Sequence, residues 1–202
     1  MKKSILAVLL MFALVVPSFA ETVVVTEGTA EPVVVSEGTV EPEGTVELVA
    51  KVGYGLSPQL KSDGDTVDVN SPYMVSAEGY VYITPSIGLG LGANHIFDAA
   101  LKDAEDFKVG ATNIYASIKP KLGFIANLYL LGQVGYGLMR VPDAPKIENG
   151  IYWGVGAGVE LAPFIVEVIY SNNNFKLVNT LDQSIDITYS MIAVNVGLKF
   201  SI

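Results

Sequence analysis

The sequence predicts an all-β fold: an eight-stranded antiparallel up-and-down transmembrane β-barrel. Three observations predict it. From Thr45 onward apolar and polar residues alternate with a period of two, which is the signature of a half-buried strand. The connections between the alternating runs are short and long in turn. Charged residues are only 16% of the chain, against about 25% in ordinary soluble domains. Yet beyond residue 20 no apolar run approaches the ~20 residues that a spanning helix needs. Apolar side chains spread singly along strands fit a membrane barrel.

The N-terminal segment indicates export. Lys2 and Lys3 precede the apolar run Ile5 to Val16, followed by "PSFA" and Glu21. A charged start, a short apolar core and small residues at Ser18 and Ala20 read as a signal peptide, residues 1–20, cleaved after Ala20. The run is too short for a spanning helix. The chain has no cysteine, which excludes a lipoprotein anchor, disulfides, a thiolate nucleophile and Cys-ligated metal.

Residues 21–44 form an acidic Val/Glu/Gly/Pro linker. "VVVTEGTAEP" (Val23 to Pro32) is followed by "VVVSEGTVEP" (Val33 to Pro42) and "EGTVE". Its Gly/Pro punctuation and single sign of charge predict a disordered periplasmic spacer. The other reading is an arm whose Val triplets add to another sheet. Without Lys2 and Lys3 the chain has 10 bases against 21 acids, a net −11, and seven of the acids lie in Glu21 to Glu47. That balance argues against nucleic acid as a partner.

The barrel is assigned to residues 45–202. In its first strand Val46, Leu48, Ala50, Val52, Tyr54 and Leu56 alternate with Glu47, Val49, Lys51, Gly53 and Gly55. The second sets Val75, Ala77, Gly79, Val81 and Ile83 against Ser76, Glu78, Tyr80 and Tyr82. In the third, Ile87, Leu89, Leu91 and Ala93 alternate with glycines and Asn94. Ile114, Ala116 and Ile118 make the fourth; Leu128, Leu130, Val134, Tyr136 and Leu138 the fifth. Ile151, Trp153, Val155, Ala157 and Val159 follow, then Val166, Val168 and Tyr170. Ile192, Val194, Val196, Leu198 and Phe200 close the set. Long polar loops are expected at Ser57 to Pro72, Asp98 to Gly110, Arg140 to Gly150 and Asn172 to Ser184. Short turns are expected at Thr84 to Ser86, Lys121 to Asn127 and Ala162 to Pro163. Short turns on one side and long loops on the other put both termini on the periplasmic side.

Alternation alone leaves open which face is inside, because a lipocalin-like soluble binder has the inverse arrangement. Three features favour lipid outside. The apolar rows carry no Lys, Arg, Asp or Glu, and an ion there costs about 2–4 kcal/mol at the midplane. The polar rows are rich in glycine, which leaves room for long side chains in a narrow lumen. Aromatic residues stand at strand ends as girdles: Tyr54, Tyr136, Trp153 and Tyr170 toward the long loops, Phe164 and Phe200 toward the short turns.

The same parity sends Glu47, Lys51, Glu78, Lys119, Lys121, Glu160, Glu167 and Lys199 into the lumen, four of each sign. A balanced set of buried charges predicts a self-satisfying network, since unpaired buried ions cost several kcal/mol each. The competing expectation is a narrow polar pathway for ions or very small solutes. Thr188 and Ser190 share the lipid-facing parity, so a bulge or a rim above the bilayer is expected there.

Asn195-Val-Gly197-Leu-Lys-Phe200-Ser-Ile202 resembles the C-terminal assembly signal of bacterial outer-membrane barrels, with Asn195, Gly197, Phe200 and Ile202 at its characteristic positions. The commonest form ends on an aromatic residue where this chain has Ile202. Thr45 to Ile202 as a whole resembles the small OmpA/OmpX-like and opacity-type eight-stranded barrels. The resemblance implies the outer membrane, lipid and lipopolysaccharide around the barrel, and the barrel-assembly machinery as a partner through the last strand. It supplies no family-wide active site.

Other motifs carry less. His95 is the only histidine, outward and near the loop-side rim, and "ANHIFD" has no serine at a spacing suited to lipid acyl transfer. "SDGDTVDVN" offers Asp63, Asp65 and Asp68 without the Gly and closing Glu of a calcium loop. "GLGLG" and "GVGAG" repeat glycine every second residue with no helix following, which rejects phosphate binding. No catalytic, cofactor-binding or metal residue is assigned, and no cofactor is expected. The expectation is a monomeric, non-enzymatic barrel with a structural or surface role, its loops meeting host or envelope ligands.

Overall fold

The computed structural model describes residues 45–62, 65–102, 104–122, 127–142, 147–178 and 184–201. The signal peptide, the acidic linker, Asp63 and Ile202 lie outside the described residues. The described residues form ten strands: β1 (Val46–Ser62), β2 (Asp65–Asp68), β3 (Tyr73–Thr84), β4 (Ile87–Leu101), β5 (Ala104–Pro120), β6 (Leu128–Arg140), β7 (Ile147–Glu148), β8 (Gly150–Leu161), β9 (Phe164–Val178) and β10 (Ser184–Ser201). Eight of them pair antiparallel in the order β1-β3-β4-β5-β6-β8-β9-β10. β10 then pairs back onto β1, from Glu47↔Ser201 to Lys61↔Thr188. The sheet is a closed eight-stranded antiparallel barrel, and closure removes the edges that would otherwise expose unpaired backbone to lipid.

Register carries the alternation around the wall. One row crosses from Ala50 through Ala77, Ala93, Ile114 and Tyr136 to Ile151. The adjacent row runs from Lys51 through Ser76, Asn94, Asn113 and Gly137 to Gly150. Exposure decides which is outside. Leu91 is 73% exposed and Val155 54%, whereas Glu47 is 0% and Lys51 3%. Greasy side chains therefore line the outer wall and ionised ones the interior.

The long connections differ from the expected polar loops. β1 continues to Ser62 and turns into β2, which pairs Gln59↔Asp68 through Ser62↔Asp65. β4 and β5 remain paired as far as Leu101↔Ala104, and β9 and β10 as far as Val178↔Ser184. β7 adds to β9 through Ile147↔Leu177 and Glu148↔Lys176. The reason lies inside the barrel. Leu60, Val69, Ile96, Val109, Phe175 and Tyr189 are all buried in one apolar cluster at the loop end, and their burial holds the hairpins together above the wall.

The bulge expected near Thr188 and Ser190 lies across the seam instead. Register slips in β1 between Leu56 and Gln59, where Ser57 has φ 48° and Pro58 offers no donor to the ladder. On β10, Thr188 keeps the outward parity and donates its hydroxyl to Asn174 Oδ1 at 3.0 Å. Thr188 is thus met by another polar side chain on β9, and Ser190 is buried.

Candidate functional site

The interior is built in three tiers. At the short-turn end, strand ends bring Glu47 of β1, Lys119 of β5, Glu160 of β8 and Lys199 of β10 together. Lys119 Nζ lies 2.5 Å from Glu47 and 2.8 Å from Glu160, and Lys199 Nζ 2.7 Å from Glu160 and 3.5 Å from Glu47. Lys121, just past the end of β5, reaches Glu160 at 3.3 Å from the mouth. Three cations face two carboxylates there.

One step deeper the proportion reverses. Lys51 Nζ lies 2.7 Å from Glu78 and 2.8 Å from Glu167, one cation between two carboxylates. Hydroxyl donors compensate for the surplus negative charge. Tyr80 and Tyr115 each donate to Glu78 at 2.7 Å, Gln133 Nε2 donates to it at 3.0 Å, and Tyr129 donates to Glu167 at 2.7 Å. Hydrogen bonds to charged groups contribute roughly 1.5–3 kcal/mol each, so the tyrosines are as much a part of this cluster as the lysine.

The tyrosines also join the two clusters. Lys119 Nζ lies 5.2 Å from the centre of the Tyr80 ring and 4.4 Å from that of Tyr129, while both hydroxyls point to the acids above. Lys121 Nζ stands 4.5 Å over the Tyr82 ring, whose hydroxyl donates to Glu47 at 3.2 Å. Inward glycines make this possible. A Cβ on Gly92 would meet the Tyr115 ring at 2.7 Å, and one on Gly158 the Tyr129 ring at 2.5 Å. The rings pass close to backbone that has no side chain of its own.

The middle tier is neutral and polar. Tyr152 donates to Gln133 Oε1 at 2.6 Å, and Asn94 Nδ2 donates to the Tyr152 hydroxyl at 3.4 Å. Asn113 Nδ2 donates in turn to Asn94 Oδ1 at 2.8 Å. Above this chain the interior becomes apolar, with Met74, Ile96, Met139, Phe175, Tyr189 and Met191 buried together. The inward parity persists, but toward the loop end its residues are hydrophobic.

All eight charged residues assigned to the lumen from parity meet in these two clusters. The tyrosines and the apolar top tier were not singled out in sequence, although Tyr80, Tyr82, Tyr115, Tyr129 and Tyr152 share the inward parity of the acids. On the outer wall Tyr54, Tyr136 and Tyr170 are exposed at the loop end, Phe164 and Phe200 at the turn end, and Trp153 is half-buried. Tyr54 packs on Tyr73 at 5.3 Å between ring centres, and Trp153 on Tyr170 at 5.5 Å. Tyr73 was not singled out in the sequence. Of the terminal motif, Asn195 and Gly197 are buried inward and Phe200 is exposed.

His95 lies on the outer wall, its Nδ1 2.8 Å from Thr112 Oγ1 and its ring edge-on to Phe97. Just above it Asp98 accepts from both Nε and Nη2 of Arg140, bridging β4 and β6 across Gly110 of β5. Asp65 and Asp68 fall in β2, where Asp68 takes Lys102 at 3.3 Å. Among the described residues no three His, Cys, Asp or Glu side chains cluster as metal ligands.

A closed antiparallel barrel, apolar outside and ion-paired within, defines a transmembrane β-barrel of the bacterial outer membrane. Residues 33–200 match the family described as "Outer membrane protein beta-barrel domain", and the chain belongs to that family. Among solved structures it is similar to Ail, the attachment invasion locus protein of Yersinia pestis, at 14% identity and a TM-score of 0.53, covering 79% of this chain and 100% of that one. It is also similar to Neisserial surface protein A, at 13% identity and a TM-score of 0.53, covering 78% and 100%. At such identities the likeness is one of fold. No curated protein sequence matches the chain.

Proposed function

We propose that this protein is a non-enzymatic outer-membrane barrel with a structural or surface-interaction role, its lumen plugged by the Lys/Glu network and its extracellular hairpins available for contact. The observation that carries the reading is double closure of the interior. Ion pairs such as Lys119–Glu47 and Lys51–Glu78 cross the lower lumen, and fully buried Val69, Ile96, Val109 and Tyr189 fill the upper end. Eight strands leave a lumen that side chains can fill. The surface role draws support from two proteins of the same fold, one named an attachment invasion locus protein and the other a surface protein.

The remaining partners follow from the outer wall. Exposed rings at both ends of the strands suit lipid and lipopolysaccharide boundaries. The terminal strand carrying Asn195, Gly197 and Phe200 is the proposed contact with the barrel-assembly machinery. His95 is engaged by Thr112 on the outside of the barrel, which is poor support for acyl chemistry. The protein acts as a monomer, and a host or envelope ligand meets the hairpins.

Single-channel recording on the refolded full-length protein in planar bilayers tests the plug. The expected result is no steady open level. A steady open level abolished by Lys51→Ala or Glu160→Ala would replace this reading with a narrow channel. Turnover of phospholipid or lipid A that disappears with His95→Ala would replace it with an enzyme.

A further inference from the structure

We infer that Glu43 is a third carboxylate of the turn-side mouth cluster, tying the acidic segment ahead of the barrel to Lys121. Among the described residues that cluster carries an excess of one positive charge, since Lys119, Lys121 and Lys199 face Glu47 and Glu160. Buried charge of one sign is costly unless an opposite charge stands near it. Lys121 is the most accessible of the three cations. Its side chain is 13% exposed, against 1% for Lys119 and 8% for Lys199. A carboxylate approaching from outside the wall meets Lys121 first.

The course of the chain supplies that carboxylate. The carbonyl of Thr45 accepts from the backbone N–H of Tyr82 at 3.1 Å. Tyr82 is also the residue over whose ring Lys121 Nζ stands, at 4.5 Å. The start of the barrel is therefore pinned to the same residue that carries the cation. Glu43 precedes Thr45 by two positions, a stretch of at most about 7 Å. It has the odd parity that sends Glu47, Val49 and Lys51 inward. Alternation continued back from Glu47 turns the Glu43 carboxylate toward the mouth.

Glu43 is favoured over the other acids of the segment. Pro42 offers no N–H to a ladder, so pairing that begins at Thr45 does not run on simply to Glu41 and Glu37. A solution anion is disfavoured too, because a tethered group competes at an effective concentration set by its short linker. The tie fixes where the acidic segment leaves the barrel: over the open end of the lumen rather than along the outer wall. It concerns the turn side alone, and stands whether or not the hairpins bind the proposed ligands.

Acid titration of the glutamate carboxyl carbons by NMR, on the folded full-length protein in nanodiscs, tests it with Glu37 as the internal reference. Glu43 is expected to protonate at least about one pH unit below Glu37, because a neighbouring ammonium favours the carboxylate. Lys121→Gln should move the Glu43 midpoint up toward that of Glu37 and leave Glu37 where it was. Equal midpoints for the two acids in the parent protein overturn the inference. So does a low Glu43 midpoint that Lys121→Gln leaves unmoved, which would give the contact to another cation. Should the Gln variant fail to fold, a nuclear Overhauser contact between the Glu43 and Lys121 side chains of the parent decides, and its absence overturns the inference.

Discussion

Lys119 Nζ stands 4.4 Å from the centre of the Tyr129 ring, and the hydroxyl of that ring donates to Glu167 at 2.7 Å. One side chain thus presents its π-face to the cation-rich cluster and its hydroxyl to the carboxylate-rich one. The two substitutions that separate these roles should differ. Tyr129→Phe removes only the hydrogen bond and should cost about 1.5–3 kcal/mol. Tyr129→Leu also removes the ring from Lys119 and should cost up to ~2 kcal/mol more. Urea unfolding in lipid vesicles, followed by the single tryptophan, Trp153, measures both; equal losses would remove the cation–π contact from the account.

Among the described residues Lys51 is the cation that stands between Glu78 and Glu167. Lys51→Met leaves two desolvated carboxylates side by side and should destabilise the barrel by about 3–5 kcal/mol. Adding Glu78→Gln and Glu167→Gln should recover most of that loss, because no buried charge is then left uncompensated. Unfolding midpoints of the single and triple variants make the comparison, and a triple variant no better than the single one contradicts it.

Gly158→Val should overpack the lumen against the Tyr129 ring and cost about 1–3 kcal/mol. Gly79→Ala is the control on the outer wall, where a Cβ would meet only Leu48 at 3.5 Å. Its unfolding midpoint is expected to stay near that of the parent. If both glycines tolerate substitution equally, ring-on-glycine packing is not what sizes the lumen.

Leu91 is the most exposed of the large outward apolar side chains. Leu91→Arg should destabilise the membrane-inserted protein by about 2–4 kcal/mol, while Phe97→Arg near the rim should cost about 0–1 kcal/mol. Spin labels at Leu91 and Val155 should report hydrocarbon. Labels reporting water there would invert the assignment of faces.

Phe175 fills the apolar tier at the loop end and is 3% exposed. Phe175→Ala should cost about 3–5 kcal/mol and speed hydrogen exchange in the upper halves of β9 and β10 more than at their turn ends. Uniform acceleration along both strands would mean that the hairpin does not depend on this tier.

Much of this fold was legible in the chain. Strict period-two alternation fixes the face of every side chain once the outer face is known, since a strand sends neighbours to opposite sides. That is why Lys51, Glu78, Glu160 and Glu167 could be assigned inward from parity, and why Leu91 and Val155 could be assigned outward. The eight strands and the membrane location follow from the same pattern and from the absence of charge in the apolar rows.

Tertiary structure decided what parity cannot express, namely which inward residues share a height and which strands are neighbours across the lumen. Lys51 meets Glu167 across 116 positions of sequence only because closure brings β9 near β1. The loop segments read as polar because their outward residues are, yet Val69, Ile96 and Phe175 point into a common core that continues the barrel beyond the expected wall. Alternation is a property of one strand and is written locally. Pairing of charges and the seating of tyrosine rings on glycines are properties of the closed sheet, and depend on its register and curvature.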